Sequence, residues 1–274
     1  MGLGLRTKLS RAKTRISEAK ESLCRFFIEA KVKEKIQRDG TLGIPIIINN
    51  FNRYNAFIQL VDWFRDAGFK NITVLDNQST YPPLLEYYRK DTQCNIVHLG
   101  RNFGHKALWD SGYYKTLRNS YFCYTDPDVL PVAECPRDLV SRLIELLWKY
   151  PGILKIGPGL RLSDIPDHYK NKEAVLLWER QFWECPVEEG VYEASLDTTF
   201  ALYRPRVLHG SGKECPSLRT GEPYVFHHTP WYENQNALSD EEIFYQSTSA
   251  GVSWWSDASN LGPNKVKEKF DLKE

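Results

Sequence analysis

The strongest constraint on this chain is an alternation, between residues 44 and 152, of short apolar runs with longer segments of helical periodicity. "IPIIINN" (44–50), "NITVLDN" (71–77), "CNIVHLG" (94–100) and "YFCYT" (121–125) are compact and apolar, and the first three are rich in β-branched residues. They lack the polar alternation of a half-exposed strand, so each is expected to be buried on both faces. Between and after them, "NAFIQLVDWFRDAG" (55–68), "PPLLEYYRK" (82–90), "HKALWDSGYYKTLR" (105–118) and "RDLVSRLIELLWKYPG" (137–152) read as helices. The prolines at 82 and 83 suit a first helical turn. Strand and helix in turn predict right-handed βαβ crossovers and a parallel sheet. Ligands of such sheets gather at the carboxyl ends of the strands. Asn50, Asp76 and the pair Asp126/Asp128 all fall there.

The second half is less regular. "GILKIGPGLRL" (152–162) predicts a strand with a glycine-marked bend, and "KNKEAVLLWERQFW" (170–183) a helix. "YEASLDTTFALYRP" (192–205) alternates like one strand, whereas "RTGEPYVFHHTPWY" (219–232) reads as an aromatic loop. "LSDEEIFYQST" (238–248) offers Ser239 as an N-cap before an acidic first turn.

"YFCYTDPDVLP" ends an apolar run with two carboxylates that repel each other. Asp and Pro favour turns, so a surface turn is one reading. The other is a hard divalent cation held by carboxylate oxygens and bridging a diphosphate, where it neutralises charge on a leaving group.

Further motifs decide between them. "IPIIINNFNRYNAFIQLVDW", "ITVLDNQST", "RNFGHKALWDSGY" and "YTDPDV" together resemble the opening strand, second strand, Asn-x-Gly segment and D-x-D element of GT-A fold nucleotide-sugar glycosyltransferases. The likeness is broadly to glycosyltransferase family 2 and its bacterial polysaccharide and lipopolysaccharide relatives. It implies an α/β, Rossmann-like mixed sheet flanked by helices, over residues 41–262. It implies transfer from a UDP- or GDP-linked sugar to a glycan or glycolipid hydroxyl, dependent on Mn²⁺ or Mg²⁺ and inverting. Asp126 and Asp128 are then the metal ligands, with His228 completing them. Asp76 contacts the nucleoside, and Asn50, Asn52, Arg53, His105 and Lys106 line the donor pocket. The acid that deprotonates the acceptor comes from Asp240, Glu241 and Glu242, with Asp197 as a further candidate. Trp231 and Tyr232 would suit an acceptor sugar face. Arg53, His105 and Lys106 read equally well as solvent-facing, and either of His227 and His228 as a packed histidine. Sugar-phosphate nucleotidyl transfer is the rival chemistry, but it usually wants a glycine-rich loop after the first strand, and "NNFNRYN" has no glycine. A non-catalytic scaffold on the same fold is the third reading.

Residues 1–40 stand apart. Leu5, Leu9, Ala12, Ile16, Ala19, Leu23, Phe26 and Ala30 recur at steps of three and four, predicting one long amphipathic helix over 5–38. Its stripe suits the main domain, a second copy of the helix in a homo-oligomer, an anionic membrane surface, or nucleic acid. Residues 1–39 carry eleven Lys/Arg against five acids, a net +6, which leaves −5 for the remainder. That acidic remainder argues against nucleic acid. Residues 263–274 read as a charged tail. The six cysteines form no C-x-x-C pair, and no leader or spanning run is visible. The expected setting is the cytoplasm, peripherally on the inner face of the cell membrane.

Overall fold

The computed structural model describes residues 23–90, 93–196, 199–207, 215–234 and 236–249. Asp197 and the tail at 263–274 lie outside the described residues, as do residues 5–22 of the expected N-terminal helix.

The first described element, α1, is the helix over residues 23–39. Then follow β1 (Ile46–Asn50), α2 (Asn55–Asp66), β2 (Ile72–Asp76), α3 (Pro82–Lys90) and β3 (Asn95–His98). Two single-turn helices, α4 (Ala107–Asp110) and α5 (Tyr114–Leu117), lead to β4 (Phe122–Thr125), β5 (Val129–Pro131) and α6 (Leu139–Lys149). The rest comprises β6 (Lys155–Leu160), α7 (Lys172–Arg180), β7 (Pro186–Glu188), β8 (Val191–Glu193), β9 (Ala201–Tyr203), β10 (Ser217–His228) and α8 (Asp240–Thr248).

Ten strands form one sheet in the order β3-β2-β1-β4-β9-β6-β10-β8-β7, with β5 also on β10. β3, β2, β1 and β4 are mutually parallel, and the antiparallel β9 then makes the sheet mixed. Every residue of β1 and β2 is buried, as their unbroken apolar runs predict. Ile46 and Ile48 face the larger core with Phe57, Leu60 and Leu143, while Ile47 joins Leu75, Phe122 and Tyr124 on the opposite face. The parallel register aligns Asn50 with Asp76 and Asp76 with His98, so the strand ends form one rim.

Three local expectations are corrected. Residues 105–118 are not one helix: the chain breaks between α4 and α5 at Gly112, whose φ of +81° lies in the left-handed region. Residues 192–205 are not one strand. β8 lies beside β10, whereas β9 inserts between β4 and β6, and only a glycine at 157 permits that approach, since a Cβ there would sit 2.0 Å from the Phe200 carbonyl oxygen. Residues 219–232 are no loop. β10 is a twelve-residue strand that carries Gly221, Glu222 and Pro223 on an irregularity between Thr220 and Val225. The turn-forming residues that signal a loop sit where the ladder is interrupted, so they cost it nothing.

α1 docks through Val32 and Ile36, which join the larger core. Glu29 pairs with Arg204 and accepts a hydrogen bond from Tyr121, and Lys33 lies 4.6 Å from the Trp148 ring centre. No disulfide links the cysteines. Among the described residues no helix is long and apolar enough to cross a membrane.

Candidate active site

The turn after β1 is built by asparagines. Asn50 donates to the Arg53 carbonyl at 2.8 Å and to the Tyr88 hydroxyl at 3.0 Å, and accepts from the Arg53 N–H at 3.3 Å. Asn52, at φ +55°, accepts from the N–H groups of Thr80 and Tyr81 at 2.6 and 3.0 Å and donates to the Thr248 hydroxyl at 3.0 Å. Asn tolerates that left-handed backbone better than bulkier residues do. Asn50 thus fixes the turn after β1 and joins it to α3, and Asn52 ties the loops after β1 and β2 to α8.

The turn delivers Arg53 inward. It is 6 % exposed, ion-paired with Glu242, and stacked with its guanidinium carbon 3.6 Å from the Tyr245 ring centre. Its Nε is buried, makes no hydrogen bond, and faces the Asp128 carboxylate at 4.0 Å. Burial works to lower the Arg53 pKa, but the carboxylates of Asp128 and Glu242 outweigh it and hold the group above its ordinary value. Arg53, read from sequence as pocket-lining or solvent-facing, is therefore a fixed buried cation beside the acidic pair.

Asp126 and Asp128 follow β4 at the carboxyl rim and are partly buried. The Asp128 carbonyl accepts from the Thr229 N–H at 2.9 Å and the Thr229 hydroxyl at 3.1 Å, which fastens the acidic turn to the end of β10. Tyr245, which sequence reasoning missed, has its hydroxyl pKa pushed up to about 12, first by burial and then by the Asp128 charge, with a further contribution from Asp126. His228 pairs in register with Val129 and packs its ring 5.0 Å from that of Trp231. Among the described residues no three His, Cys, Asp or Glu side chains form a group that could hold a metal ion. Two carboxylates suit a hard cation that keeps waters and takes phosphate oxygens as its remaining ligands. The unsatisfied Arg53 Nε is the matching donor for such an oxygen.

Asp76, 3 % exposed, accepts from the Ser79 N–H at 3.2 Å and meets His98 Nδ1 at 3.0 Å. Asn77 donates to Asn49 at 2.7 Å and to the Gly104 carbonyl at 3.0 Å, pinning the loop at 101–106 over the rim. His105 and Lys106 on that loop are exposed.

The late acids separate. Asp240 is exposed. Glu241 accepts from the Asn55 N–H at 2.8 Å, which makes it the cap of α2; burial raises its pKa, and the α2 amides act against that. Glu242 holds Arg53 and accepts from Gln246 at 2.8 Å. Glu233 is a further acid beside this cluster, and its pKa is raised by burial and by the charges of Glu242 and Glu241. Its only sequence signal is its place two residues after an aromatic turn. Trp231, expected as a sugar platform, is 1 % exposed and belongs to the core. Tyr232 donates to Asp164 at 2.6 Å, and His227 meets the same carboxylate at 2.8 Å.

No protein-family model matches the chain, and no curated protein does. Among solved structures, glucosyl-3-phosphoglycerate synthase from Mycobacterium tuberculosis in complex with phosphoglyceric acid aligns at 16% identity and a TM-score of 0.39, over 59% of this chain and 57% of that one. The same enzyme with Mn²⁺, UDP-glucose and phosphoglyceric acid aligns at 17% identity and a TM-score of 0.38. A mycobacterial protein aligns at 15% identity and a TM-score of 0.42, over 68% of this chain and 67% of that one. The chain thus spans about 57% of the length of the first of these.

Proposed function

We propose that this chain is a GT-A type glycosyltransferase, akin to family 2, which moves a sugar from a UDP- or GDP-linked donor to a hydroxyl of a glycan or glycolipid with inversion. One observation carries the reading. Of the two carboxylates that follow β4, Asp128 faces a buried arginine whose Nε makes no hydrogen bond, at the rim where an α/β sheet binds ligands.

In the transfer, the acceptor oxygen bonds to the anomeric carbon as that carbon's bond to the diphosphate oxygen breaks. The nucleoside diphosphate leaves with the electron pair, and a carboxylate takes the acceptor's proton. Asp126 and Asp128 would hold a divalent cation, which would supply neutralising charge for the departing diphosphate. Arg53 adds a fixed donor in a water-poor setting, where preorganised charge is most effective. Its position is set by Glu242 and Tyr245, so α8 acts as the support of the diphosphate site. Asp76 offers its remaining lone pairs to the nucleoside, and Lys106 and His105 overhang the donor.

With Glu241 engaged in capping and Glu242 in an ion pair, we assign proton acceptance to Glu233. A base is competent only when deprotonated, so its raised pKa shifts the acid limb of kcat/KM upward from that of an ordinary glutamate. Replacing Glu233 by Gln is expected to lower kcat by about 10²-fold and to remove that limb. An unchanged limb would move the role to Asp240, Glu241 or Glu242.

Incubation with a panel of nucleotide sugars and Mn²⁺, followed by chromatography of the products, tests the whole reading. Glycosyl transfer and slow donor hydrolysis release UDP or GDP. Nucleotidyl transfer instead releases pyrophosphate from a nucleoside triphosphate and a sugar phosphate. A scaffold releases neither.

A further inference from the structure

Within α1, Leu23 and Phe26 of the apolar stripe are exposed, whereas other residues of the helix meet the domain. Val32 and Ile36 pack into the core, and Glu29, about one turn before Val32, reaches Arg204 and Tyr121. Leu23, Phe26 and Phe27 point away, 62, 69 and 65 % exposed. Three of the six large exposed hydrophobics among the described residues thus occupy a little over one helical turn. Leu23, Phe26 and Ala30 also continue the three-and-four spacing of Leu5, Leu9, Ala12, Ile16 and Ala19 in the sequence. Packing on the chain's own domain does not account for this stripe.

We propose that the outward face of α1 docks on an anionic lipid surface, with Leu23, Phe26 and Phe27 entering the acyl boundary and the flanking bases meeting the headgroups. Charge selects lipid over a second copy. Residues 1–39 carry a net +6, and Lys31, Lys35 and Arg38 are exposed further along the same helix, Arg38 pairing with Asp39. Two such arms repel each other, whereas an anionic bilayer attracts each basic residue held near it. The ion pair at Glu29 and the Lys33–Trp148 contact fix the rotation of the helix, so the three side chains are presented together. This attachment stands apart from the transfer chemistry and can fail without touching it.

Co-sedimentation of the full chain with phosphatidylcholine vesicles, with and without phosphatidylglycerol, tests the proposal. The expected result is retention on the anionic vesicles only, weakened by salt. A Phe26→Gln/Phe27→Gln variant is expected to lose about tenfold or more in binding while keeping its unfolding midpoint, because both rings are already in water. Equal retention on neutral vesicles, no retention at all, or full retention of the variant would each overturn it. So would light scattering that shows a dimer which the variant converts to monomer.

Discussion

Asp128→Ala is expected to fold normally and to lose about 10³-fold or more of the Mn²⁺-dependent release of nucleoside diphosphate. The fold survives because the contacts that anchor this turn are made by the backbone: the Asp128 carbonyl keeps both Thr229 donors whatever the side chain. Arg53 also stays in place, since Glu242 and Tyr245 hold it independently of the looser 4.0 Å contact to Asp128. What disappears is half of the carboxylate pair, and with it the means of placing a dication against a diphosphate. Losing several kcal/mol of charge stabilisation in the transition state corresponds to a rate loss of about that size. Asp128→Asn separates charge from shape. It keeps the volume and an acceptor oxygen, and it is expected to fail nearly as badly. Wild-type turnover in either variant, with manganese still required, would remove the acidic pair from the mechanism.

Arg204→Ala is expected to lower folding stability by about 3–5 kcal/mol, read as a shift in the urea midpoint at unchanged slope. Arg204 is 3 % exposed at the end of β9. It donates to the carbonyls of Leu147, Tyr150 and Ile153 after α6 and pairs with Glu29 of α1. Removing it takes a donor from three carbonyls, of which that of Tyr150 keeps the Ile153 N–H, and leaves the Glu29 carboxylate only its Tyr121 partner, and that is why the loss exceeds the net worth of an ordinary ion pair. Glu29→Ala should cost less, because Arg204 keeps its carbonyl partners. The double variant should cost less than the sum of the two, since neither charge is then left without the other. Strict additivity would mean that Glu29 and Arg204 do not act as a unit, and that α1 is held by Val32 and Ile36 alone.

Much of the parallel half was legible because burial on both faces leaves a plain mark. "IPIIINN" and "NITVLDN" have no polar alternation, and both became inner strands. The β9 and β10 region was not legible. Alternation over 192–205 fits one strand as well as two short ones, and Gly221 and Pro223 break a ladder only if they fall within it. For the acidic pair, sequence supplied the position on the rim, because the pair directly follows an apolar run. It did not supply Arg53 as a buried partner, because that depends on Glu242 and Tyr245 nearly two hundred residues away. The late acids show the same limit. Asp240, Glu241 and Glu242 are equivalent as helix N-terminal residues, and only their neighbours distinguish a solvent-facing acid, a cap for α2 and an arginine anchor.

Local sequence alone determined the strand–helix alternation, the rim on which Asn50, Asp76, Asp126 and Asp128 fall, and the basic apolar stripe at the N-terminus, because each follows from periodicity and residue type within a short window. Tertiary structure alone decided which side of α1 meets the domain, where β9 inserts, and which late carboxylates are taken up in capping and ion pairing. Those outcomes depend on pairings between distant segments, and a buried charge takes its role from whatever partner the fold brings to it.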